Sequence, residues 1–220
     1  MSDPRWIKVD DYIAGKLLDD DPALAAALAA NEAAGLPAID VSPVQGKFLH
    51  LLALATGAKR ILEVGTLGGY STICLARALG DGGFLVTLEL EPRHAEIARV
   101  NTDRSGIGDR VEIRVGPAAD TLAAMAAAGE GPFDLVFIDA DKPGNLVYFE
   151  YAMALSRPGT TIIVDNVVRD GGILDPDGDP AIRGTRALFD KLAADPRVSA
   201  TALQTVGAKK WDGFIMAVVR

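Results

Sequence analysis

Cysteine is almost missing from this chain: Cys74 stands alone among 220 residues. No internal disulfide can form, and a reducing cytoplasm is the simplest setting. Cys74 falls between Ile73 and Leu75 with no histidine or second cysteine beside it, so it reads as a packing residue rather than a reactive thiol. Histidine is scarce too. His50 and His94 lie far apart on predicted helices; they read as structural or exposed, and they leave no Cys/His cluster for zinc. An excess of positive charge is also lacking. The net charge is -8, which disfavours nucleic acid and anionic membrane surfaces as partners. No apolar run is long enough for a membrane span. The start, "MSDPRWIKVDDYIAG", has no basic stretch followed by an apolar one and reads as lacking a signal peptide.

What remains is an ordinary globular composition, 49% hydrophobic and 24% charged, long enough for one domain with a well-buried core. Two helices are predicted over residues 9–19 and 21–35, the second opened by Asp21-Pro22 as cap and first-turn proline. A third runs from about Ser42 to Thr56, with Ser42 as N-cap and Pro43 behind it. From Arg60 onward short apolar runs alternate with helical segments. Strands are predicted at 60–64, 84–89, 110–115, 133–138 and 160–165, with helices near 70–80, 92–105, 118–128 and 144–155. Strands apolar on both faces and separated by helices imply a parallel sheet covered on both sides. A loop after residue 166 leads to a helix ending near 194, and two last strands fall near 197–203 and 213–219. No linker or repeat divides the chain. The reading is one domain over 1–220, with an N-terminal helical extension over about 1–57.

The turn after the first strand reads Gly65-Thr66-Leu67-Gly68-Gly69. A dinucleotide loop needs glycine where Leu67 stands, so that backbone can approach a pyrophosphate. No nucleoside-triphosphate loop is present either. Glu63, just ahead of Gly65, would add negative charge beside any phosphate. These features argue against an NAD-dependent oxidoreductase and suit a cationic ligand without phosphate, such as S-adenosylmethionine. The helix N-terminus near Tyr70-Ser71 can receive its carboxylate. Glu63 is expected to help balance its cationic methionine end. Glu89, ending the second strand, is expected to accept the ribose hydroxyls.

The stretches "LEVGTLGGYST", "FIDADK" and "VDNVVRDGG", in that order and spacing, resemble the cation-dependent O-methyltransferases, the group that holds catechol and caffeoyl-CoA O-methyltransferases. The resemblance spans about Val41 to Gly213. It implies an α/β, Rossmann-like methyltransferase fold: a seven-stranded, mostly parallel sheet, the last strand antiparallel, with helices on both faces. It places the S-adenosylmethionine site on Val41, Glu63, Gly65, Thr66, Ser71, Glu89, Ala118 and Asp139, with the Gly116-Pro117-Ala118 turn near the adenine. It places the metal on Asp139, Asp165 and Asn166, and a general base on Lys142. The family often carries a tyrosine where Asn145 stands, and Trp211 with the lysines before it is not family-wide.

Those residue types suit the chemistry. Two carboxylates and an amide oxygen at the carboxyl ends of neighbouring strands are hard ligands for Mg²⁺, or for another divalent cation such as Mn²⁺ or Ca²⁺. A chelated cation lowers the pKa of a bound hydroxyl, and Lys142 could take its proton. Asp141 either supports this site or caps the helix that follows. The "LDPDGDP" segment has Pro180 and Arg186 where a calcium loop needs glycine and glutamate, so it reads as a surface loop. The expected activity is methyl transfer to one hydroxyl of a vicinal, catechol-like diol on a small-molecule acceptor. The alternative is a non-catalytic, regulatory binder of S-adenosylmethionine, which would keep the glycine loop and lose the metal set. The N-terminal helices, rich in alanine and leucine, suit a homodimer face.

Overall fold

The computed structural model describes residues 3–220. Three helices come first: α1 (Pro4–Leu17), α2 (Pro22–Ala33) and α3 (Pro43–Thr56). The alternating part follows as β1 (Arg60–Val64), α4 (Tyr70–Ala76), β2 (Phe84–Glu89), α5 (Pro92–Arg104), β3 (Val111–Val115), α6 (Ala118–Ala128), β4 (Phe133–Ile138), α7 (Asn145–Ala154) and β5 (Ser156–Asp165). The chain ends with α8 (Pro180–Ala194) and a hairpin of β6 (Val198–Gly207) and β7 (Lys210–Val219). Among the described residues, no helix is long and apolar enough to cross a membrane.

The seven strands form one sheet in the order β3-β2-β1-β4-β5-β7-β6. Pairing is parallel from β3 to β5. It turns antiparallel where β7 inserts between β5 and β6. Successive residues of each central strand point to opposite faces. Leu62, Val64, Val136 and Ile138 pack with Leu122, Met125 and Phe149 on one face. Ile61, Leu135 and Phe137 pack with Leu49, Ala53 and Ile73 on the other. Both faces are dry, which is why the strands read as unbroken apolar runs.

The sheet order reverses at β1, whose neighbours are β2 on one side and β4 on the other. In such folds ligands sit beyond the strand ends at this reversal. Here the chain leaving β1 crosses the end of β4 at close range. Asp139 N donates to the Val64 carbonyl at 2.8 Å. A Cβ on Gly65 would lie 2.1 Å from the Asp139 carbonyl oxygen, and Gly65 has φ +100°. Only glycine fits both the backbone angle and the contact.

Helix starts follow their caps. The Ser42 hydroxyl accepts from Gln45 N at 3.2 Å, as expected for α3. Helix α1 begins at Pro4 rather than near residue 9, because Asp3-Pro4 forms the same cap-and-proline start as Asp21-Pro22; Asp3 accepts from Arg5 N at 2.9 Å. The hairpin strands are longer than predicted. Much of β6 is exposed, and an edge strand with one wet face carries a weak apolar signal.

Candidate active site

Glu63 ends up inside the protein. Its position in β1 puts it on the same face as Ile61, beneath α4, and it has 0% exposure. Ser71 Oγ donates to Glu63 Oε1 at 2.6 Å, and Thr72 and Thr87 hydroxyls donate to Oε2 at 2.5 and 2.7 Å. Burial pushes its carboxyl up to about 7 despite these three donors. Glu63 thus stands one side chain behind the cavity wall, bonded to Ser71, which lines it. The carboxylate ties β1 to β2 and to the first turn of α4, and it does not line the cavity.

Glu89 behaves differently. It closes β2 at the cavity wall. Its Oε2 accepts from the backbone N–H groups of Thr66 and Leu67 at 3.1 and 2.7 Å, and Oε1 accepts from Glu91 N at 3.0 Å. The carboxylate thus shapes the glycine loop from across the sheet. Leu67 takes a left-handed φ of 48° in this loop, a conformation unusual outside glycine. His94, read as remote from function, lies in the first turn of α5 with Nδ1 3.4 Å from Glu89 Oε1 and lines the same cavity. The first turn of a helix that follows a strand's carboxyl end returns to the site, and that was the available signal.

The cavity has a volume of about 780 Å³. Val41, Gly65, Thr66, Ser71, Glu89 and Ala118 line it on the side of the glycine loop. Asp139, Lys142, Tyr148, Asn166 and Arg169 line it beyond the ends of β4 and β5. Lys142 Nζ donates to Asp139 Oδ1 at 2.8 Å, and Lys142 is itself buried. Asp141 caps the short turn over Lys142–Gly144, accepting from Gly144 N at 3.1 Å and from the Tyr148 hydroxyl. Asp141 forms the cap and also lies on the cavity wall. Asn145 points inward, its amide 3.5 Å from the Thr185 hydroxyl, so the wall near α7 is built by Tyr148 instead.

Asp165 closes β5 just behind this wall. It is 4% exposed. Gln45 Nε2 donates to its Oδ2 at 2.6 Å, and Asn166 N donates to Oδ1 at 2.9 Å. Gln45 was not foreseen; it reaches across 120 positions of chain. Burial first, and then the charge of Asp139, raise the Asp165 carboxyl well above the usual carboxylate range. Asn166 has a left-handed φ of 57°, as do Arg169 and Asp170 at 55° and 54°. The hairpin holds this turn: Asp212 Oδ1 accepts from Val168 N and Arg169 N at 3.0 Å and from Gly213 N at 2.9 Å. Asp170 N donates to the Trp211 carbonyl at 2.9 Å.

The N-terminal helices reach the site as well. Asn101 Nδ2 donates to the Gly68 carbonyl at 2.9 Å and to Asn31 Oδ1. Asn31 Nδ2 donates to Asp40 Oδ1 at 2.9 Å, and Asp40 lines the cavity. Burial raises the Asp40 carboxyl. Cys74 and His50 stay structural: the thiol is buried, and His50 Nδ1 lies 3.1 Å from the Cys74 carbonyl. In the "LDPDGDP" segment Asp179 caps α8 by accepting from Ile182 N at 2.9 Å.

A doubly wound sheet with a non-phosphate glycine loop, an acid ending β2 and acids ending β4 and β5 defines a class I methyltransferase-like site. The comparisons give the family. The O-methyltransferase family model matches residues 19–217. A catechol O-methyltransferase of Mycobacterium tuberculosis is 56% identical over 217 residues, covering 99% of this chain and 97% of that protein. One of Niastella koreensis is 51% identical and covers 100% of both chains. The crystal structure of an O-methyltransferase from Bacillus cereus in complex with SAH superposes with a TM-score of 0.97, at 56% identity, covering 98% of this chain and 99% of that one. The chain belongs to the O-methyltransferase family, and it is an enzyme of that class.

Proposed function

We propose that this enzyme moves the methyl group of S-adenosylmethionine to one hydroxyl of a vicinal, catechol-like diol, with a divalent cation at the ends of β4 and β5. The observation that carries the reading is the pairing, in one cavity, of the glycine loop around Gly65–Ser71 with Asp139, Lys142 and Asn166. The SAH bound to the Bacillus cereus relative and the catechol O-methyltransferase names of two relatives support it.

The donor set suits a hard cation. Two carboxylates and an amide oxygen would be its protein ligands, and the Asp165 carboxyl is raised by burial first and then by the charge of Asp139; a bound cation would relieve that repulsion. Among the described residues, no three His, Cys, Asp or Glu gather as an all-protein site. Water and acceptor oxygens would therefore complete the shell, as Mg²⁺ prefers; Mn²⁺ or Ca²⁺ are the alternatives. When bound, the cation would make the acceptor hydroxyl more acidic and orient it.

Each side chain then has a task. Asp139, Asp165 and Asn166 would hold the cation, with Gln45 aiming Asp165. Lys142 would hold the acceptor's proton, which requires its contact with Asp139 to loosen when the acceptor arrives. Glu89 would take the ribose hydroxyls, while backbone N–H groups at the N-terminus of α4, near Tyr70-Ser71, would receive the methionine carboxylate, the Ser71 hydroxyl being held by Glu63. Val41, Gly65, Thr66 and Ala118 would shape the donor's seat. In-line displacement needs donor and acceptor held close and aligned, and a cavity with both sets of residues provides that positioning. We also infer a cytoplasmic enzyme that dimerises through its N-terminal helices, where Ile7, Val9, Tyr12 and Leu17 of α1 are exposed.

The experiment is S-adenosylhomocysteine release from purified protein with S-adenosylmethionine and a catechol panel, with Mg²⁺ and with EDTA. Turnover that EDTA abolishes is expected. Equal turnover in both would remove the metal role from Asp139, Asp165 and Asn166. No turnover on any diol would overturn the acceptor class.

A further inference from the structure

The cavity wall is rich in carboxylates, with Asp40, Glu89, Glu91, Asp139 and Asp141 all on it. Three side chains there can carry positive charge. His94 lies against Glu89 at 3.4 Å, and Lys142 is paired with Asp139 at 2.8 Å. The third is Arg169. Among the described residues its guanidinium makes no ion pair and no hydrogen bond; its backbone is engaged, the N–H donating to Asp212 and the carbonyl accepting from Gly172 N. It is half-buried and stands three positions after Asn166, on the acceptor side of the cavity.

The backbone makes this placement costly. Arg169 has φ 55°, between Asn166 at 57° and Asp170 at 54°. Asparagine and aspartate tolerate this region, whereas arginine gains nothing from it and glycine would be easier. The turn is nevertheless held by Asp212 and by the Trp211 carbonyl. Strain kept in place by surrounding structure at a cavity wall points to a side chain that is needed there.

We propose that Arg169 selects acceptors that carry an anionic substituent, a carboxylate in the first instance, on the ring bearing the diol. This rests on the methyl-transfer reading above. An anionic acceptor entering a chain of net charge -8 meets a cavity wall rich in carboxylates, where this guanidinium, among the described residues, is the cationic side chain not already held by an acid. Arginine offers a planar fork of donors that matches a carboxylate with two parallel hydrogen bonds. A neutral diol would gain nothing from it, and a cationic one would be rejected by it.

The test compares kcat/KM for 3,4-dihydroxybenzoate, its methyl ester, and 3,4-dihydroxybenzyl phosphate, in the wild type, Arg169→Ala and Arg169→Lys. The wild type is expected to prefer the carboxylate to the ester by roughly tenfold or more, the scale of one charged hydrogen bond. Arg169→Ala should collapse that ratio, and Arg169→Lys should restore part of it. If the phosphate is preferred and its advantage collapses in Arg169→Ala, the arginine is an anion reader with phosphate as its partner. If the ester equals both anions in the wild type, or Arg169→Ala lowers all three alike, the proposal fails while the methyltransferase reading stands. Absence of turnover on all three, in folded protein that still binds S-adenosylhomocysteine by calorimetry, overturns both.

Discussion

The Asn101 amide donates to Asn31 Oδ1 at 3.1 Å, joining α5 to α2 directly behind the glycine loop. The same amide holds the Gly68 carbonyl. Asn31 and Asn101 are 3% and 1% exposed, so these bonds have no competing water. Asn101→Ala leaves two buried acceptors without a donor. Its expected cost is about 1–3 kcal/mol by urea denaturation. A matching rise in KM for S-adenosylmethionine, larger than the rise for the acceptor, would mark a positioning role. An equal effect on both would indicate general loosening.

Gly65 offers a sharper contrast. Gly65→Ala must place a methyl against the Asp139 carbonyl at a φ of +100°. Gly57 has φ +62° and open space around it. Gly57→Ala should cost about 1 kcal/mol, the ordinary left-handed penalty. Gly65→Ala should cost clearly more and abolish methyl transfer, because the end of β4 has to move. Thermal melts and single-turnover assays of the two variants decide this. Comparable melts would show that the loop yields easily.

For Glu63 the prediction concerns pH. Its folded carboxyl titrates near 7 against 4.5 for the free group, so folding favours the protonated form. As pH rises from about 4.5 to 7 the unfolded chain releases this proton first, and stability falls; below 4.5 the penalty is absent. The shift amounts to on the order of 3 kcal/mol at most. Glu63→Gln can keep partners for Ser71, Thr72 and Thr87 without the charge. It should gain stability over the wild type at about pH 8 and little at about pH 4. A difference that is the same at both ends would remove Glu63 as the cause.

Cys74 should be silent in the native state. Burial pushes its thiol up to about 12, and the residue is 5% exposed. A thiol-disulfide reagent at about pH 8 should label nothing until denaturant is added, and then one thiol per chain, since reactivity follows the thiolate. Fast labelling of native protein would mean that the packing of α3 on α4 opens readily.

Much of this architecture was legible because β1, β2 and β4 are apolar on both faces, and because prolines sit one step behind Asp21 and Ser42. The same cap at Asp3-Pro4 was overlooked, since the residues after it are mixed in character. That Glu63 lies buried beneath α4 was not legible, for a physical reason. A carboxylate at a strand's end looks like a ligand group until the strand's parity is tied to a covering helix, and only the packed structure does that. Gln45 with Asp165, and Asn31 with Asn101, are pairs separated by 120 and 70 positions. No local pattern announces a hydrogen bond across such a span. The ends of β4 and β5 were readable because Asp139, Lys142, Asp165 and Asn166 occur in short motifs.

One oxygen of Asp212 gathers three N–H groups, two of them from a turn more than forty positions earlier in the chain. The 167–172 turn and the start of β7 at 210–213 are thus parts of one piece. A chimera that replaces only the second with a segment lacking this acid would leave the N–H groups of the first without their acceptor. Shuffling between such enzymes has two crossover points to respect, and new acceptor preferences are best sought as paired changes at both.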